Sequence, residues 1–398
     1  MVTVEEAQSI ILSHSHDYGS AYVALEESLH RILAESVYAD RDQPPFNRAT
    51  MDGIAISYKN FMAGITEFAI KGIQAAGTLP LDVSGQDECI EIMTGAALSV
   101  TADTIIPYED LRIDRNTATV VSGKIKSGQN IHYQGKDKKL GECILTSNKR
   151  ISPQMISIMA TVGMANVRVK KNPRIAIIST GDELVPISHK PSTFQIRVSN
   201  SALLKSCLAS IKVPSEVFHY TDDKQTLRSG LLSRINTNDV LIITGGISMG
   251  KLDFVREVLS ELGMKVEFNK VSQKPGKPFV FGTIGKTKTI FALPGNPVSA
   301  CLCFYRYFLP WFQKCMDVEV QILYAQLSNT FVFKPELTFF SLVNLSVDEK
   351  GVTIAEPIYG NGSGDITSIS TADAFMELPI ERNTFEKGEV FRIWPLFR

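Results

Sequence analysis

The sequence predicts a multidomain α/β protein. A three-layer α/β domain follows a β-rich module and precedes a small β domain at the carboxyl end. Three observations carry this expectation. The chain has 398 residues, more than one hydrophobic core usually organises. After Pro173 short apolar runs alternate with helical patterns, as in parallel strands buried under helices on both faces. Before it, from Ile54 to about Leu145, β-prone runs alternate with glycine turns such as Ala76-Gly77, Ser84-Gly85 and Ser122-Gly123.

Taken in order, Val4 to Leu12 has helical spacing, with Val4, Ala7, Ile11 and Leu12 on one side. Leu25 to Ala39 repeats the pattern, with Glu26 and Glu27 near its start, and a second helix is expected there. Asp42-Gln-Pro-Pro-Phe46 is extended and leads into a strand at Met51-Asp-Gly-Ile-Ala-Ile56. Ile151 to Thr161 is helical, with Ser152 placed to cap and Pro153 at the first helical position. Lys170 to Pro173 is a linker.

Arg174 to Ser179 is then a buried strand, and Ser199-Asn-Ser caps a helix through Ile211. Ser215 to Tyr220 is a strand, Asp222 opens a helix to about Ile235, and Asp239 to Thr244 is a strand again. Phe254 to Leu262 is helical and Lys265 to Val271 extended. Strands at Phe279 to Phe281 and Thr289 to Leu293 follow, then a long helix. From about Val318 strands and turns make a separate β domain.

Composition excludes several function classes. A net charge of −1 gives no global field for nucleic acid or anionic lipid, so any anion site must be local. Met1-Val-Thr-Val-Glu-Glu lacks the basic and apolar regions of a signal peptide, and no apolar run approaches a bilayer span. The longest, Ala300 to Phe312, is interrupted by Arg306 and Pro310 and reads as a buried helix. The six cysteines form no Cys-x-x-Cys pair and have no histidine at zinc-ligand spacing. A reducing cytoplasm is the expected setting.

In an open α/β sheet, ligands bind beyond the carboxyl ends of the strands. Here those ends carry Thr180-Gly-Asp-Glu183, Thr244-Gly-Gly-Ile-Ser-Met-Gly250 and Leu293-Pro-Gly-Asn-Pro297. Glycine lets backbone N–H groups approach an oxyanion closely. A tight turn alone would explain any one of these loops, but three at equivalent positions point to a phosphate or oxyanion site. Lys270, Lys274 and Lys277 lie in or before Lys-Pro-Gly-Lys-Pro, where Pro275 and Pro278 restrict the backbone. Of the acids, Glu183 is a poor cap and reads as functional, whereas Asp182, Asp222 and Asp253 serve equally well as caps. Carboxylates beside a phosphate cradle commonly hold a hard cation such as Mg2+. Ser248 has no base near it in sequence and reads as a hydrogen-bond donor to an anion.

Together these motifs make the chain resemble the MoeA-type molybdopterin molybdenumtransferases, which are related to the carboxy-terminal domain of gephyrin. Pro44-Pro-Phe-Asn-Arg-Ala-Thr-Met-Asp-Gly53, Ile92-Met-Thr-Gly-Ala96, Thr180-Gly-Asp-Glu-Leu184, Ser199-Asn-Ser201, Thr244 to Gly250 with Asp253, Lys274-Pro-Gly-Lys-Pro278 and Leu293 to Ser299 match in order. Each is weak alone; the ordered set is specific.

The resemblance implies four parts: residues 1–40 with 140–171 as a helical, dimerising part, 41–139 as a β-rich insertion, 172–320 as the α/β domain and 321–398 as a β barrel. It implies insertion of molybdenum from molybdate into adenylylated molybdopterin, with Mg2+ and release of AMP. It implies a homodimer whose cleft joins the α/β domain of one copy to the insertion of the other, and contact with the adenylyltransferase. Carried over by position, the implied catalytic residues are Asp52, Glu183, Asp222, Asp253, Lys270 and Lys274. Glu183 and Asp253 would hold the metal. Thr94, Asp137, Gly245, Gly246, Ser248, Gly250, Lys277, Pro294, Gly295, Asn296 and Ser363 would bind substrate.

The sequence also departs from the family. Asn47, Arg48 and Ala49 replace Asp-Asn-Ser before Met-Asp-Gly, and Pro335 is followed by Glu336, Leu337, Thr338 and Phe339 where arginines are usual. Asp365 stands where a methionine is common. Two competing readings are a molybdopterin adenylyltransferase, which shares the α/β domain, and a scaffold without activity. Ile247, Ser248 and Met249 after the glycines and the long amino-terminal region disfavour the first; Glu183, Asp253 and the lysines disfavour the second.

Overall fold

A computed structural model describes residues 1–246 and 254–397. The chain forms two compact units, one of residues 35–147 with 153–166, the other of residues 1–34, 148–152 and 167 onward.

The larger unit is built on a six-stranded sheet in the order Ser215–Tyr220, Ile175–Thr180, Val240–Thr244, Lys288–Leu293, Val280–Ile284, Lys265–Phe268. The first four strands are parallel, Val280–Ile284 runs antiparallel to them and Lys265–Phe268 antiparallel to it, in line with the mostly parallel sheet expected. Alternation along Ile175–Thr180 sorts the two faces. Ile175 and Ile177 join a core with helices Asn200–Ser210 and Pro297–Cys303, whereas Ala176 and Ile178 join one with Lys224–Thr237 and Val255–Glu261. Helices thus cover both faces, giving three layers. The amino-terminal helix Val4–Ser13 packs Val4, Ala7 and Ile11 into the first core and is closed by a Thr3–Glu6 capping box.

From Leu323 onward, strands Thr338–Val347, Thr353–Pro357, Leu323–Leu327, Val390–Pro395 and Ala374–Leu378 pair in that order. Ala374–Leu378 then pairs back to Thr338–Val347, so the sheet closes into a barrel around Val343, Ala355, Met376 and Phe391. The short strand Gln273–Lys274 adds to its edge beside Thr338 and Phe339.

Three local expectations are corrected. Leu25 to Ala39 is not a helix. Strand Ser20–Ala24, a 3-10 turn at Leu25–Ser28 and bridges from Ile32 to Arg150 and Leu33 to Val169 occupy the region. Its apolar residues are buried by strand pairing with residues far along the chain, which overrides local periodicity. The helix after Tyr220 is capped by Asp223, which accepts from Thr226 N at 2.8 Å, and not by Asp222. The apolar run after Pro297 is buried as expected but passes through a π-helical turn at Phe304–Phe308 before Leu309–Cys315.

The smaller unit is β-rich, as expected. Its sheet runs Thr104–Pro107, Gly53–Ile56, Glu88–Ile92, Glu67–Gln74, Thr117–Val120, Leu111–Asp114. A two-residue ladder pairs Arg48 with His132 and Ala49 with Ile131. Helix Pro153–Thr161 belongs to this unit, and its first residue is proline as the sequence suggested. Among the described residues no helix is long and apolar enough to cross a membrane.

Candidate active site

In the larger unit, parallel strands Ile175–Thr180, Val240–Thr244 and Lys288–Leu293 deliver their carboxyl ends to one edge of the sheet. Gly245 and Gly246 have φ of 89° and 62°, in the left-handed region that glycine enters freely. A Cβ on Gly245 would lie 2.5 Å from the Thr180 carbonyl oxygen, and one on Gly246 would lie 2.6 Å from Thr180 Oγ1. Both positions therefore need glycine for φ and for space.

A cavity of about 260 Å3 opens beside this turn, lined by Thr180, Glu183, Asn200, Gly245, Gly295 and Asn296 among others. Its lining has polar atoms without partners. Thr180 Oγ1 and Asn200 Oδ1 are buried and make no hydrogen bond among the described residues. Unsatisfied buried oxygens are costly, and a ligand bearing donors or a cation would satisfy them. Asn200 Nδ2 donates to Gly295 O at 2.7 Å and fixes that loop. Glu183 sits over Gly181, where a Cβ would come 2.5 Å from its Oε2. Among the described residues no cysteine or histidine lines the cavity; Thr180, Glu183 and Asn200 offer it oxygens, donor chemistry suited to a hard cation, and Arg197 also lines it. Among the described residues no three acids, cysteines or histidines gather as a metal cluster.

A second cavity, of about 460 Å3, shares Asn296 with the first and is lined by Lys274, Lys277, Pro294, Ser363 and barrel residues including Phe331, Phe339 and Tyr359. Lys274 and Lys277 have no carboxylate partner among the described residues, and Lys274 Nζ lies 5.7 Å from the Phe333 ring centre. Beneath the loop, Gln273 is fully buried; it donates to Pro275 O at 3.1 Å and accepts from the Tyr307 hydroxyl. That buried amide fixes the backbone carrying the lysines. Asn296 Nδ2 donates to Ser363 Oγ at 2.8 Å, and Val298 N to Ser363 O at 3.2 Å.

The expected residues therefore divide. Glu183, Gly245, Gly295 and Asn296 line one cavity, and Lys274, Lys277, Pro294, Asn296 and Ser363 the other. Asp222 and Lys270 line neither; Asp222 N donates to Asp182 Oδ1 at 3.1 Å, and Lys270 O accepts from Val2 N. Gly246 supports the turn without lining either. Ser248, Gly250 and Asp253 lie outside the described residues.

The smaller unit gathers the other three. Thr94 donates to Asp52 Oδ1 from its backbone N at 2.6 Å and its hydroxyl at 2.8 Å. Those bonds, the backbone one foremost, hold the Asp52 carboxyl below the usual carboxylate range. Asp137 Oδ1 lies 2.8 Å from His132 Nε2, and Arg48 Nη2 lies 3.3 Å from His132 Nδ1. A guanidinium only donates, so Nδ1 accepts and Nε2–H donates to Asp137. The sequence did not single out Arg48 and His132 as a pair. They are 84 residues apart, and only the Arg48–His132 register brings them together.

Residues 2–163 match the MoeA N-terminal region (domain I and II), residues 176–314 a probable molybdopterin binding domain, and residues 324–396 the MoeA C-terminal region (domain IV). A molybdopterin molybdenumtransferase of Synechocystis is 38% identical, over 98% of this chain and 99% of its own length. One from Staphylococcus aureus is 31% identical over 98% and 95%. The crystal structure of a molybdopterin biosynthesis MoeA protein from Pyrococcus horikoshii superposes with a TM-score of 0.85 at 29% identity, covering 99% of each chain.

Proposed function

The chain belongs to the MoeA family of molybdopterin molybdenumtransferases, and on that premise we propose that it moves molybdenum from molybdate to adenylylated molybdopterin and releases AMP. The observation that carries this reading is that a lysine-bearing cavity and a glycine-lined cavity share Asn296. A substrate with a metal acceptor at one end and a phosphoanhydride at the other needs two such neighbouring subsites.

In the lysine cavity, Lys274 and Lys277 hold the molybdate oxyanion as point charges, with Lys270 adding positive charge nearby. Ser363 and Asn296 donate to oxygens at the junction. In the glycine cavity, backbone N–H groups of Gly245 and Gly295 hold phosphate oxygens, on a turn that Gly246 supports, while Pro294 shapes the lysine cavity; Ser248 and Gly250 belong to the same substrate-binding reading. Glu183 and Asp253 are the residues that would hold Mg2+. When bound, it would neutralise charge on the phosphates as AMP departs. Asp52 orients water at the phosphoanhydride, and Asp222 acts from outside the cavities through its bond to Asp182, next to Glu183. The barrier falls through charge fixed in place, with no covalent enzyme intermediate.

Asp52, Thr94 and Asp137 act from the β-rich unit, and a homodimer would let the β-rich unit of one copy complete the site of the other. The four-part division at residues 40, 139, 171 and 320, contact with the adenylyltransferase that makes the substrate, and a cytoplasmic setting belong to the same reading. Incubation of the purified chain with adenylylated molybdopterin, molybdate and Mg2+ should restore activity to a cofactor-free molybdoenzyme. Tight substrate binding with no restoration would make the chain a scaffold. ATP-dependent adenylylation of molybdopterin would make it an adenylyltransferase.

A further inference from the structure

Four aromatic rings of the carboxyl-terminal unit form a column at the wall of the lysine cavity. Tyr359 stacks on Phe331 with centroids 6.0 Å apart and planes at 21°. Phe331 stacks on Phe339 at 5.4 Å and 12°, and Phe339 on Phe333 at 4.3 Å and 18°. Phe331, Phe339 and Tyr359 line the cavity, and Lys274 Nζ lies over the buried end of the column at Phe333. Tyr359, at the other end, is 79% exposed. Barrel cores gain from interlocked rings, but a near-parallel column ending in an exposed ring at a cavity mouth adds little to a core. It is the arrangement that receives another flat ring.

We propose that this aromatic wall binds the bicyclic pterin ring of the substrate by stacking. The proposal rests on the reading above that Lys274 and Lys277 hold molybdate. Connectivity then favours pterin over adenine. The dithiolene sulfurs that receive molybdenum are carried on the ring system fused to the pterin, whereas the adenine is separated from them by two phosphates. The ring beside the molybdate must therefore be the pterin. Two hydroxyls in the cavity lining suit its hydrogen-bonding edge. Ser341 and Ser368 donate to the carbonyls of Leu342 and Asp365, which leaves their oxygen lone pairs to accept from amino and ring N–H groups.

The test is a fluorescence titration of the full chain with metal-free molybdopterin and, separately, with AMP. The proteins compared are the unsubstituted chain, Tyr359→Ala, Tyr359→Phe and Phe331→Ala. Tyr359 is exposed, so its removal leaves the fold intact even if Phe331→Ala disturbs the barrel. Tyr359→Ala should weaken molybdopterin binding roughly tenfold, Tyr359→Phe should restore it, and AMP affinity should not move. Molybdopterin affinity unchanged in both alanine variants would overturn the stacking wall. Weakened AMP binding with unchanged molybdopterin binding would overturn it too, by giving the wall to adenine. No molybdopterin binding by the unsubstituted chain would instead overturn the functional reading on which the wall depends.

Discussion

Asn296 Nδ2 donates to Ser363 Oγ at 2.8 Å, tying the loop after strand Lys288–Leu293 to the loop that follows Tyr359. Asn296 is also the residue common to both cavities. Removing this bond should therefore cost little stability and much activity. Asn296→Ala is expected to change unfolding free energy by no more than about 1.5 kcal/mol, since one solvent-facing hydrogen bond is lost. Turnover should fall by about tenfold or more because the two subsites lose their shared donor. Urea unfolding and steady-state AMP release check the two halves. Large destabilisation with normal turnover would contradict both.

Thr94 holds Asp52 as an anion, and this has a pH signature. The carboxyl is depressed in the folded state, so the bonds from Thr94 stabilise at pH values above the unfolded carboxylate pKa. Their contribution is lost as pH falls through the lower, folded pKa. Thr94→Val removes the hydroxyl donor but keeps the backbone donor, which is the larger cause. The Asp52 carboxyl should then titrate at a higher pH than in the unsubstituted chain while remaining below an ordinary aspartate. A 13C carboxyl titration by NMR reads this directly; an unchanged midpoint would show that the hydroxyl bond is not made.

Gly53 follows Asp52 and begins a strand paired with both Glu88–Ile92 and Thr104–Pro107. A Cβ there would overlap the Ile106 carbonyl oxygen. Gly53→Ala should force the strands apart, with a loss of about 3 kcal/mol in the smaller unit. Hydrogen exchange of the Ile54 and Ile106 amides would locate it; protection equal to that of the parent chain would contradict the close approach.

Arg306 is 1% exposed and is satisfied from three sides. Its Nη1 donates to Gln8 Oε1 at 2.7 Å, its Nη2 donates to Glu377 Oε1 at 3.3 Å, and its guanidinium carbon sits 4.5 Å from the Trp394 ring centre. Arg306→Met leaves Glu377 with the Trp394 indole donor but without its ion-paired guanidinium, and should cost about 3–5 kcal/mol. The double change Arg306→Met with Glu377→Met should recover at least half of that loss, because the carboxylate that lost its partner is removed with it. Thermal or urea unfolding of the pair decides it.

The site-bearing loops were legible because the strands leading to them are short, buried on both faces and followed by glycines, of which Gly181, Gly245 and Gly246 have positive φ. Ile175–Thr180, Val240–Thr244 and Lys288–Leu293 read as continuous apolar runs for that reason. The region from Leu25 was misread because Ile32 and Leu33 are buried by bridges to Arg150 and Val169, partners that no local period reveals. The Arg48–His132–Asp137 cluster was illegible for the same reason: register, not sequence neighbourhood, assembles it. The aromatic wall is made partly by closure of the barrel, so Tyr359 and Phe331 carry no signal until the strands pair. Gln273 shows the converse: next to the lysines in sequence, its part in holding them appears only once it is buried beneath Pro275.

The most direct test of the central claim is AMP release from adenylylated molybdopterin as molybdate is varied, with the Lys274→Ala variant run in parallel. The account predicts AMP formed in equal amount to molybdenum incorporated, saturating with molybdate, and a molybdate requirement raised about tenfold or more in Lys274→Ala. AMP release that ignores molybdate, or a molybdate requirement untouched by loss of Lys274, would contradict it.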